Sequence, residues 1–85
     1  MPVISRFYGI VIVMYFNDHS PPHCHAKYSG YEAAFDFGGE ILEGELPTRA
    51  TAFVREWINA HQSGLVSNWN NARKGLPLEY IAPLE

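Results

Sequence analysis

The stretch His23-Cys24-His25-Ala26-Lys27-Tyr28-Ser29-Gly30-Tyr31-Glu32-Ala33-Ala34-Phe35-Asp36 reads as two strands around a tight turn. Gly30 can take a positive φ at no steric cost, as a two-residue hairpin turn requires. With Ser29-Gly30 as that turn, Tyr28 faces Tyr31, Lys27 faces Glu32, Ala26 faces Ala33 and His23 faces Asp36. Side chains alternate across a strand. One face therefore collects Cys24, Ala26, Tyr28, Tyr31, Ala33, Phe35 and Phe37, and the other His23, His25, Lys27, Glu32, Ala34 and Asp36. A slip of one residue would mix the two sets, so the pattern fixes the register.

Toward the N-terminus, Ile10–Phe16 is a run of β-branched and aromatic residues bounded by Gly9 and Asn17-Asp18, and it reads as the first strand. Both of its faces are apolar, which predicts cover on both sides. Asn17–Pro22 is a loop stiffened by two prolines. Beyond the hairpin, Gly38-Gly39 leads into a fourth strand at about residues 40–45, placing Glu43 opposite Ala34 and Glu45 opposite Glu32. Pro47 suits a helix start. Ala50, Phe53, Val54, Trp57, Ile58, His61, Leu65, Trp69 and Ala72 recur at helical spacing. The stripe keeps phase through Ser63-Gly64 and predicts one long helix, residues 47–74; two helices broken at Gly64 is the alternative. Gly75 and Pro77 stop it. The tail Leu78–Leu84 is apolar enough to dock. The expected fold is α+β: a four-stranded antiparallel sheet with one long C-terminal helix packed on one face, in a single domain over residues 1–85.

Composition narrows the function classes. Of 85 residues, 47% are hydrophobic and 14% aromatic, enough to build a compact core. The net charge is −3, with Lys and Arg numbering six. Nucleic-acid modules carry a basic stripe that replaces counterions on phosphates, so DNA or RNA is not expected as a dedicated ligand. Cys24 is the only cysteine, which excludes an intramolecular disulfide, and no apolar run is long enough to span a bilayer. A cytoplasmic protein is the expectation.

The residues able to carry chemistry gather at His19, His23 and His25. His23 and His25 are two apart, so on a strand both imidazoles point to one side. His19 precedes them across the proline loop, and Asp36 lies opposite His23. Zinc-like divalent metals take imidazole and carboxylate ligands, which makes His19, His23, His25 and Asp36 candidate ligands. Three readings stay open: a structural one in which the imidazoles cap backbone groups, a metal site, and metal-free acid–base catalysis by His23 and His25 with Asp36 as orienting partner. Cys24 alternates to the core face and reads as a packing residue. A different feature is Val11, Val13 and Tyr15, the second apolar face of the first strand. At a sheet edge they would offer a surface to a homodimer or protein partner; the alternative is that the tail covers them.

The run Phe7-Tyr8-Gly9-Ile10, then Met14-Tyr15, then Asp18-His19 with Pro21-Pro22-His23 and His25-Ala26, resembles the bacterial domain-of-unknown-function family 4160. Gly44 to Pro47, Arg55-Glu56-Trp57, Asn68-Trp69 and Ile81-Ala82-Pro83-Leu84 also match. The resemblance marks Asp18, His19, Pro21, Pro22, His23 and His25 as the motif and establishes no reaction. It implies a small protein partner encoded nearby, in an arrangement similar to a toxin–antitoxin pair. Two functions follow as expectations: the interaction component of such a module, or a metal-dependent or His/Asp acid–base hydrolase, RNA among its allowed substrates, using His19, His23 and His25.

Overall fold

The computed structural model describes residues 2–85. Five strands form one antiparallel sheet in the order β1 (Val3–Phe7), β2 (Ile10–Val13), β3 (His23–Tyr28), β4 (Tyr31–Asp36), β5 (Ile41–Glu45). Two helices follow, α1 (Thr48–Ala60) and α2 (Gln62–Arg73). This corrects the four-stranded sheet with one long helix in both of its parts.

The additional strand is β1. It pairs with β2 through a hairpin whose turn residues, Tyr8 and Gly9, both have positive φ (52° and 79°). Gly9 is thus half of a turn rather than the boundary of a strand. An aromatic residue seldom occupies that region, which hides the turn from a sequence reading. The run that reads as the first strand is β2, and it ends at Val13. It is hydrogen-bonded on both sides, to β1 and β3. Val11 and Val13 therefore lie on an inner strand, not at an edge.

The helical segment breaks at His61, with φ −129° and ψ 36°, three residues before Gly64. There side chains take over carbonyls at the end of α1: His61 Nδ1 lies 2.9 Å from the Trp57 carbonyl, and Gln62 Nε2 donates to the carbonyls of Ile58 and Phe37. Such local bonds compete with the helical ladder. Gly64 sits inside α2, where a β-carbon would press on Ile81 at 3.4 Å.

The β3–β4 register runs from His23↔Asp36 to Tyr28↔Tyr31. Between β4 and β5, Ala34 faces Glu43 and Phe35 faces Ile41, so Leu42 is the extra residue of a bulge. The helix-facing core joins Ile4, Ile10, Ile12, Cys24, Ala26, Phe35, Val54, Trp57, Leu65 and Trp69. The tail is held at its backbone by three side chains. Ser5 Oγ donates to the Ile81 carbonyl, Trp57 Nε1 to that of Ala82, and Asn68 exchanges two bonds with Glu79. Ile81 N–H in turn donates to the Ile4 carbonyl of β1. No helix among the described residues is long and apolar enough to cross a membrane.

Candidate metal centre

His23 and His25 alternate with Cys24 on β3. Cys24 turns to the helices and is fully buried, while the imidazoles turn toward the loop that links β2 to β3. That loop leaves β2 at Met14, bonds α2 through Asn17 N–H to the Ala72 carbonyl, and returns through a cis Ser20-Pro21 peptide. Its course sets Asp18 over the end of β3. One Asp18 oxygen accepts from the backbone N–H of the next residue, His19, at 2.9 Å. The other, Oδ2, lies 2.9 Å from His23 Nε2 and 3.6 Å from His25 Nε2.

These three donor atoms all lie within 4.8 Å of one another. Ligands of one tetrahedral zinc, at roughly 2.0–2.1 Å from the ion, are about 3.3 Å apart. The two carboxylate–imidazole separations bracket that spacing. The ring orientations fit the same use. His23 Nδ1 is 2.6 Å from the Pro21 carbonyl, so it carries a proton and donates; Nε2 faces Asp18 Oδ2 at 2.9 Å, a hydrogen bond when Nε2 is protonated and a ligand position when it is not. His25 Nδ1 faces Glu32 Oε2 at 3.4 Å, again pointing Nε2 inward. His25 Nε2 is buried without a hydrogen-bond partner. A buried ring nitrogen without a hydrogen bond is costly in a folded protein; this one faces Asp18 Oδ2 at 3.6 Å, where a proton or a cation between them would serve both.

Rings lock the cluster in place. His23 packs against Trp69 of α2 at 5.4 Å, and Tyr15 meets His25 edge-on at 4.7 Å. Asp18's carboxyl is pushed up by burial, but its bond from His19 N–H and the neighbouring imidazoles of His23 and His19 outweigh this and hold it below its ordinary value. It is thus the ionised form that the site keeps. A cavity of about 210 Å³ opens beside the donors, walled by His19, Pro21, Ala34, Leu42 and Glu43.

The other two residues singled out in the sequence are not among the converging donors. His19 stacks on His23 at 5.3 Å but points its side chain, 82% exposed, into solvent. Asp36 faces His23 across the ladder, yet its Oδ1 accepts from the N–H groups of Gly38 and Glu40 in the β4–β5 turn. It is not among the three converging donors. Asp18 and Glu32 are the participants that the sequence reading assigned other work. Asp18 served there as a loop former and motif residue, and Glu32 as a partner for Lys27. The signal for Asp18 was its second oxygen, left over once the bond from His19 N–H is made.

Fold and cluster together define a small α+β protein with an imidazole–carboxylate centre at the end of an antiparallel sheet. The family model described as Domain of unknown function (DUF4160) matches residues 9–70, and the chain belongs to that family. The matched span contains Asp18, His23, His25, Glu32 and Glu43. No curated protein and no solved structure matches the chain.

Proposed function

We propose that the chain binds one zinc-like divalent metal through Asp18 Oδ2, His23 Nε2 and His25 Nε2, and that the metal's open side supports hydrolytic chemistry. The observation that carries this reading is the buried, unpartnered Nε2 of His25, aimed at the same carboxylate oxygen as His23. Three protein ligands beside a cavity are the pattern of a catalytic rather than a structural zinc. A metal so held lowers the pKa of bound water toward ~7 and polarises carbonyl oxygens. The protein supplies orientation: the Pro21 carbonyl and Glu32 fix the two rings, and Trp69 and Tyr15 brace them.

Elemental analysis and zinc calorimetry on untagged protein test the reading. One metal per chain is expected, lost in His25→Ala and Asp18→Asn. Wild-type protein that takes up no zinc, or variants that bind it unchanged, would overturn it.

A second reading rests on the family resemblance and on one further observation. It makes the chain the interaction component of a bacterial, cytoplasmic toxin–antitoxin-like module. β5 pairs only with β4, which leaves that edge of the sheet open, and Leu42 on β5 is exposed. Strand addition at such an edge is a common way to bind a partner. Light scattering of the chain mixed with the neighbouring gene product checks it; two species that never co-elute would remove it.

A further inference from the structure

A second cavity, of about 150 Å³, lies between the β1–β2 turn, the end of β3 and the start of α1. Tyr8, Ile10, Tyr28 and Phe53 wall it, and Arg49 is the one charged residue of its lining. Tyr8 and Phe53 pack with ring centroids 4.9 Å apart. Tyr8 is an unusual residue for its position. Its φ of 52° lies in the left-handed region, which asparagine or glycine occupies at less cost in such a turn. Its ring is 52% exposed, so burial offsets only part of that strain. Strain retained at a half-exposed aromatic points to a use of the side chain itself. Arg49 is the second sign. Its guanidinium stands 5.7 Å from the centre of the Phe53 ring, and it pairs with no carboxylate among the described residues. The N–H fork of arginine matches a carboxylate or a phosphate. An apolar cavity of ~150 Å³ accepts one benzene-sized ring.

We infer that this cleft binds a small single-ring compound carrying an anionic group, with its ring against Tyr8, Tyr28 and Phe53 and its anion on Arg49. The site is independent of the metal reading. Tyr28 and Ile10 belong to the helix-facing side of the sheet, whereas His23 and His25 point to the other, so neither site uses a residue of the other. Carboxylate and phosphate share the chemistry that Arg49 recognises, and the probes below separate them.

Amide NMR titrations of the full chain with benzoate, phenyl phosphate, benzamide and acetate test the inference. Benzoate or phenyl phosphate should shift the amides of Tyr8, Gly9 and Phe53 saturably, and the tighter of the two identifies the anionic group. Benzamide keeps the ring without the charge and should bind about 10-fold more weakly, the scale of one charged hydrogen bond. Acetate keeps the charge without the ring and should bind no better than benzamide. Arg49→Gln should bring benzoate and benzamide to equal affinity. Tyr8→Asn places a residue that the turn favours, so the variant should stay folded and bind benzoate about 10-fold more weakly for want of the ring. The inference is overturned by the absence of a saturable shift with either ring anion, or by benzamide or acetate binding as tightly as they do. A preference for benzoate over benzamide untouched by Arg49→Gln, or a folded Tyr8→Asn protein that binds like wild type, overturns it equally.

Discussion

Cys24 and His25 are neighbours on β3, yet one lies among tryptophans and the other beside an open cavity. On the helix side, Cys24 is fully buried and burial pushes its thiol up to about 12. On the loop side, His25 keeps one nitrogen facing Glu32 and the other buried without a partner. The helix side satisfies itself by packing and by hydrogen bonds to the tail backbone. The loop side is incomplete in polar terms, and its stability should depend on what it binds. A single strand thus serves two different physical regimes, and the pleat separates them.

The largest effect belongs to the helix side. Trp57→Ala removes a fully buried indole and its bond to the Ala82 carbonyl, and should cost about 3–5 kcal/mol in urea denaturation, with no dependence on zinc. On the loop side, zinc at 100 times its dissociation constant should stabilise the wild type by about 2.7 kcal/mol. His25→Phe should abolish that gain. Without metal the same variant should be no less stable than wild type, because it deletes an unsatisfied nitrogen. A metal-free His25→Phe protein destabilised by several kcal/mol would mark the imidazole as structural and collapse the distinction between the faces.

Gly44 tests how tightly the β4–β5 edge is specified. Its φ is +76°, and a β-carbon there would overlap the Glu32 carbonyl oxygen. Gly44→Ala should cost about 2 kcal/mol, through positive φ and the displacement of Glu32. Zinc affinity should fall with it, since Glu32 orients His25; calorimetry on the variant reads both.

The smallest effect is alkaline. The Cys24 thiol is raised in the folded state, so its contribution is intact below the unfolded pKa near 9.0 and is lost as pH rises toward about 12. Stability at pH 10 should be lower than at pH 8 by about 1 kcal/mol, and Cys24→Ala should flatten that slope. Native protein at pH 8 should resist thiol alkylation except through unfolding.

The β3–β4 hairpin was legible because Ser29-Gly30 and the alternation of aromatic with polar residues agree on one register. β1 was not, because Ser5-Arg6 interrupt its apolar pattern and Tyr8 adopts a backbone conformation that favours glycine. The helix break left no trace in the apolar stripe. It comes from Gln62 reaching the Phe37 carbonyl, a contact that exists only after the sheet is folded. In the centre, period-two spacing placed His23 and His25 together. Asp18's role needed the course of the proline loop, and Glu32's needed the His25 ring turned so that Nδ1 faces Glu32 while Nε2 faces Asp18. Both are outcomes of tertiary structure that no local pattern encodes.

The tail that crosses β1 gives the sheet a direction. Ile81 occupies the Ile4 carbonyl on one flank, while the β5 flank keeps its backbone groups facing outward. Two copies joined at the β5 margin would meet around a two-fold axis. Such a pairing would use up the β5 margin of both copies.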